Sequence, residues 1–238
     1  MSERGAGSAG PQDGGGAGSA GPQDGGVAAY GAKKLDYWWT VLAVDPVALP
    51  LVRLLARRRW LSPDQVSFLS LLIGVAVGPV FATATRAGLI VGAVLFYVSF
   101  MFDCVDGKLA RATGISSPRG ELLDRIGDGA RRASAGIGLT YYLWRSEDNG
   151  EWLWAAAFAI LAGYFMEISG GAERGEPTGT IARALARWRL LPNPGMPDVS
   201  ALVYVIGPLT SLVLPALWVG IVLVVIGIAR VLVKAVTA

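Results

Sequence analysis

The sequence predicts an all-α membrane protein, with six transmembrane helices preceded by an amphipathic interfacial segment and both termini on the inner side (N-in, C-in). Three observations predict this. Hydrophobic residues make up 53% of the 238 residues and the mean hydropathy is positive, beyond what a soluble domain of this length carries. Six apolar stretches approach the roughly 20 residues needed to cross about 30 Å of hydrocarbon. The basic residues fall almost entirely in alternate loops, the pattern left when Lys and Arg stay on the cytoplasmic side.

Residues 1–32 are a tail of different material. GAGSAGPQDGG at 5–15 recurs unchanged at 16–26, and Gly, Ser, Ala and Pro at this density bury too little surface to offset chain entropy. No apolar core suggests a secretory signal. A repeat expansion is favoured over a functional tether on composition. Residues 33–62 form the interfacial segment, with Trp38, Trp39, Leu42, Leu51, Leu54 and Leu55 apolar and Arg53, Arg57, Arg58 and Arg59 polar. Pro46 and Pro50 are expected to prevent one uninterrupted helix there. Aromatic rings settle at headgroup level and Arg attracts anionic lipid, so this segment is placed on the inner membrane surface.

Residues 63–238 make the membrane domain, with spans expected at 66–84, 87–110, 122–144, 152–168, 201–217 and 219–236, the last two divided around Pro215. With the N-terminus inside, the outer loops hold only Arg86 and Arg145, and Arg145 is followed by Glu147, Asp148 and Glu151. The other cations lie inside, including Arg57, Arg58 and Arg59, those between Lys108 and Arg132, those between Arg174 and Arg189, and Arg230 and Lys234.

Several chemistries are excluded by residue usage. Cys104 is the one cysteine and there is no histidine, so an internal disulfide, Cys clusters, His triads and His metal sites are unavailable. Acid, base or metal work falls to carboxylates, Lys or Arg. Four carboxylates enter hydrophobic sequence in one pattern, Asp103-x2-Asp106-Gly107-x2-Ala110-Arg111-x8-Gly120-x3-Asp124-x3-Asp128. Unpaired at the centre of a bilayer, each would cost roughly 2.5 to 3.5 kcal/mol. Spacings of three and four put each pair on one helical face. The turn with Gly114, Ser116, Ser117 and Pro118 lets the second and third spans pack as neighbours, so the acids converge. Like charges that close cannot all stay ionised alone. Hard divalent cations relieve them, and all-oxygen ligation points to Mg²⁺ or Mn²⁺, two ions being suited to an in-line phosphoryl displacement. Gly107 and Gly120 allow a bulky ligand to approach the backbone, and Arg111 can clamp a phosphate oxygen. The Gly74/Gly78 and Gly88/Gly92 pairs read instead as close helix packing.

These eight residues resemble the complete signature of the CDP-alcohol phosphotransferase family, and Leu61-Ser62-Pro63-Asp64-Gln65-Val66-Ser67 resembles the segment that begins that family's first span. Many members have Asn where this chain has Asp64. The resemblance implies a six-helix, homodimeric membrane enzyme that transfers a substituted phosphoryl group from a CDP-linked donor to an alcohol, releasing CMP, in phospholipid biosynthesis. The donor is CDP-diacylglycerol or, alternatively, a smaller soluble CDP-alcohol. It also implies Asp103, Asp106, Asp124 and Asp128 as ligands of Mg²⁺ or Mn²⁺, with Asp128 also the general base, and Gly107, Ala110, Arg111, Gly120 and Ser67 at the CDP site. The expected partners are donor, acceptor, bilayer and a second copy of the chain, not nucleic acid. The active site is expected at the cytoplasmic face of a multi-pass cell membrane protein.

For the acceptor, Lys108, Arg131, Arg132, Arg183, Arg187 and Arg189 make the inner face basic. Positive-inside topology accounts for most of them. Arg131 and Arg132, nearest the third-span acids, are the acceptor-binding candidates. Asp198 marks the helical start of the fifth span. Two other classes share buried aspartates. An Asp-rich prenyltransferase would need a second acidic motif, and an ion-coupled transporter has no use for Gly107, Ala110, Arg111 and Gly120 at these intervals.

Overall fold

Helix limits follow the capping chemistry written in the sequence. A computed structural model describes residues 30–146, 149–169 and 179–237; the tandem repeat, Glu147, Asp148 and Arg174 lie outside them. A π-helical turn, Thr40–Val44, leads into α1 (Asp45–Arg58). The next helices are α2 (Pro63–Phe81), α3 (Arg86–Thr113), α4 (Pro118–Ser146) and α5 (Trp152–Ser169), then the short α6 (Thr180–Ala186), α7 (Met196–Thr210) and α8 (Val213–Thr237). Ser62 and Gln65 form a capping box at the start of α2, with the Ser62 amide donating to Gln65 Oε1 at 2.9 Å. Thr85 caps α3 through the Gly88 amide. Both caps satisfy amides that the first helical turn leaves over.

Four helices, α2, α3, α5 and α8, are long and apolar enough to cross a membrane. The sequence leads one to expect six. Of the other two, α4 is 29 residues long but carries Asp124, Asp128, Arg131 and Arg132 in its first half, and α7 is short. The last boundary is also corrected. Ser211 adopts a left-handed conformation (φ 63°) and ends α7, while Pro215 lies within the first turn of α8, where proline costs no helical hydrogen bond.

The helices alternate in direction. At one end, Arg86, which opens α3, donates to the carbonyl oxygens of Pro208 and Leu209 at the end of α7. At the other, Arg230 near the end of α8 donates to Asn193 Oδ1, just before α7, at 3.1 Å. Side chains inside the bundle gather around Phe81, Phe96, Phe158, Tyr204 and Leu217, whereas apolar side chains such as Ile160 (72% exposed), Val222 and Val233 face outward. That outward apolar surface is what a lipid environment accommodates and water does not.

The interfacial segment differs from expectation in two ways. Pro50 lies inside α1 without interrupting it; the carbonyl it leaves without an amide partner belongs to Pro46 in the first turn, so one hydrogen bond is lost. Burial on the bundle offsets that loss. Val44, Ala48, Val52 and Leu55 are buried against Val66, Met101, Val105 and Leu109, while Leu54, Arg57 and Trp60 remain exposed. The expected tail also ends earlier than residue 32, because Gly31 is already buried.

Candidate active site

The site is built where α3 ends and α4 begins. Gly114, at φ 67°, closes α3 in the left-handed conformation that glycine adopts without penalty. Pro118 opens α4, and Ser117 caps it: its Oγ accepts from the Gly120 amide at 2.9 Å and donates to Asp64 Oδ2 at 2.7 Å. Asp64 therefore ties the start of α2 to the turn. A Cβ on Gly120 would sit 2.5 Å from Asp64 Oδ1, so no larger residue fits at 120 while Asp64 holds this position.

A cavity of about 620 Å³ opens at this end, and all eight signature residues line it together with Ser67. Asp106 is buried, and its Oδ2 has no hydrogen-bond partner. Ser67 lies against it. A buried carboxylate oxygen without a donor is costly unless a cation completes it, and an all-carboxylate donor set suits a hard divalent ion. Asp103, Asp106, Asp124 and Asp128 thus fit such a metal chemically, although no three acids among the described residues close around one point as their side chains stand.

Arg131 and Arg132, the acceptor-binding candidates, are placed differently from one another. Arg131 is 1% exposed. Its guanidinium pairs with Asp128 and with Asp103 (3.5 Å), lies 3.4 and 3.3 Å from the hydroxyls of Ser70 and Ser99, and is covered by the rings of Phe96 and Phe100. It is an internal counter-ion between α3 and α4. Arg132 is partly exposed and reaches Asp128 Oδ2 at 3.2 Å.

A second cavity of about 580 Å³ meets the first at Asp128. Arg131, Arg132, Phe165, Met166, Ser169 and Ser200 line it. Lys33, Asp36 and Tyr37 line both cavities, and nothing in the sequence marked these three beyond their place before an aromatic pair. A third group was also missed. Asp45, buried, pairs with Lys108 Nζ at 3.1 Å and with Arg189 at 3.0 Å. As the one acid between Tyr37 and Trp60, an arginine-rich amphipathic stretch, Asp45 was the available signal.

A profile of CDP-alcohol phosphatidyltransferases matches residues 60–226, which takes in α2 to α7, most of α8 and the whole signature. The chain belongs to the CDP-alcohol phosphatidyltransferase family. Within this CDP-alcohol phosphatidyltransferase domain the eight signature residues face one cavity, an arrangement for which neither the prenyltransferase nor the transporter reading has a use. The chain is also 30% identical over 118 residues to cholinephosphotransferase 1 of Gallus gallus, a match covering 46% of this chain and 34% of that relative. It thus spans about a third of the relative's length.

Proposed function

We propose that this protein transfers a substituted phosphoryl group, in its best-supported form a phosphatidyl group, from a CDP-linked donor such as CDP-diacylglycerol to an alcohol, releasing CMP, at the cytoplasmic face of the cell membrane. The observation that carries this reading is the single cavity lined by the full signature and joined to a second cavity at Asp128. Family membership supports it. The alternating helix directions support six crossings, with α4 and α7 supplying the two that composition alone leaves out; among the described residues Arg86 and Arg145 are the cations at the end away from the cavities, which supports an N-in, C-in orientation.

The donor takes the first cavity. Gly107 and Gly120 leave room for the nucleotide beside the backbone, Ser67 and Ala110 line its path, and Arg111 holds phosphate oxygens. Mg²⁺ or Mn²⁺, two ions held by Asp103, Asp106, Asp124 and Asp128, would neutralise the pyrophosphate. The acceptor hydroxyl approaches from the second cavity. Its oxygen forms a bond to the phosphorus that carries the donor alcohol, the bond from that phosphorus to the CMP oxygen breaks, CMP leaves with the electron pair, and the hydroxyl proton passes to Asp128. Arg132, at the edge of the second cavity, is free to turn its remaining donors toward the acceptor; Arg131 instead holds Asp128 in place.

The test is CMP release from radiolabelled CDP-diacylglycerol in membranes, run against a panel of alcohols with the product identified by mass spectrometry. Asp128→Asn is expected to abolish transfer while leaving CDP-donor binding largely intact. Near-normal turnover by that variant would remove Asp128 from the base role, and absence of divalent-dependent CMP release with every alcohol would overturn the reaction itself.

A further inference from the structure

Residues 30–45, before the segment matched by the family, fold back across both cavities as a strap. Gly31 sits at φ 73°, where a Cβ would lie 2.2 Å from the Lys108 carbonyl oxygen. Its own carbonyl oxygen accepts from Arg111 Nε at 2.6 Å. The guanidinium so held lies over Gly107, whose Cβ position is 3.3 Å from Arg111 Nη1. Further along, the Asp36 amide donates to the Arg189 carbonyl oxygen at 2.8 Å and the Asp36 carbonyl oxygen accepts from the Leu191 amide at 3.0 Å. Trp38 Nε1 donates to the Leu191 carbonyl oxygen, the Trp39 amide donates to Asp198 Oδ1, and Arg189 Nε donates to the Lys33 carbonyl oxygen. Asp45 then locks the strap's end to Lys108 on α3 and to Arg189. A segment that only rests on lipid has no reason for these pins.

Two cationic groups reach the donor cavity by way of this strap. Arg111 is aimed, because Gly31 occupies Nε and leaves both terminal nitrogens for a ligand. Lys33 is exposed, its backbone is fixed by Arg189, and its side chain lines the junction of the two cavities without an ion pair among the described residues. Anions entering this cavity meet four carboxylates, and Arg131 and Arg132 are already paired with Asp103 and Asp128. Cations not so engaged are what a pyrophosphate needs there.

We propose that the strap belongs to the donor site: the Gly31 carbonyl positions Arg111 over Gly107, and Lys33 is an additional ligand for the phosphates of a nucleoside diphosphate. This rests on the donor reading above. The experiment is calorimetric titration of CDP into the purified full chain in detergent with Mg²⁺. Lys33→Glu is expected to weaken CDP binding by about tenfold or more, the loss of a charge-assisted contact and its reversal to repulsion. Lys33→Arg, which retains the charge, is expected to retain the affinity. Arg57→Glu, the same charge change on the exposed face of α1, is expected to stay within about twofold of wild type because solvent screens it. Gly31→Ala should weaken binding in the same direction as Lys33→Glu, since the added methyl displaces the carbonyl that holds Arg111. Should Gly31→Ala fail to fold, the Lys33 pair still decides. Wild-type binding that Lys33→Glu leaves unchanged overturns the strap's role alone; a wild-type chain that binds no CDP overturns the donor reading with it.

Discussion

Arg131 carries a charge into the interior of the bundle, and every group around it is arranged to receive one. Two carboxylates, two hydroxyls and two aromatic faces surround its guanidinium. Ser70 and Ser99 are themselves locked by reciprocal bonds, each hydroxyl donating to the other residue's carbonyl oxygen at 2.9 and 2.8 Å. Removing one partner from such a buried set costs about 3–5 kcal/mol, because the remaining charge is stranded. Arg131→Met is therefore expected to lower thermal stability in detergent by that order and to remove CMP release, whereas Arg132→Met, partly exposed, should leave stability within about 1 kcal/mol of wild type. Equal melting temperatures for the wild-type and Arg131→Met proteins would show that the guanidinium is not structural.

Between elements, α2 and α4 come together through backbone instead of side chains. A Cβ on Gly78 would lie 2.3 Å from the Ser134 carbonyl oxygen, and one on Gly138 would lie 2.3 Å from the Gly78 carbonyl oxygen. Ser134 stitches the same contact, accepting from the Gly78 amide at 2.9 Å and donating to the Val75 carbonyl oxygen at 2.7 Å. In lipid, where apolar burial does not drive helices together, this closeness supplies the packing. Gly78→Ala should destabilise by about 1–3 kcal/mol through forced separation of the helices. Gly163→Ala, on α5 with nothing within 4 Å of its Cβ, should be neutral or stabilising by about 0.5–1 kcal/mol. Thermal melts of the two variants side by side test this, and equal effects would count against the tight crossing.

Across the whole molecule, the strap, the two cavities, the α3/α4 turn and the end of α8 lie at one end, and the α2/α3 turn with Arg86 lies at the other. The proposed orientation puts the cavity end in the cytoplasm. In a Cys104→Ser background, Ile115→Cys, exposed in the α3/α4 turn, is expected to react with a membrane-impermeant thiol reagent only in inverted vesicles. Arg145→Cys, at the opposite end, should react only in intact cells. The reverse pattern would overturn the orientation while leaving the fold untouched.

By itself the sequence determined the helical class, the limits of the helices from α2 to α5 to within a few residues, and the gathering of Asp103 to Asp128 at one cavity, because apolar length, caps and the spacing of these acids are local properties of one or two helices. It misplaced the break between α7 and α8, since a proline that can open a helix resembles one that ends it. Only the tertiary structure decided the use of Arg131, which the sequence offers as a cation beside the site and the bundle turns inward between Asp103 and Asp128. The same holds for the strap. Gly31 meets Arg111, 80 residues away, Lys33 meets Arg189, 156 residues away, and Asp45 meets both Lys108 and Arg189; contacts between residues so far apart leave no periodicity or spacing to read, and they exist only once the helices have packed around the same cavity.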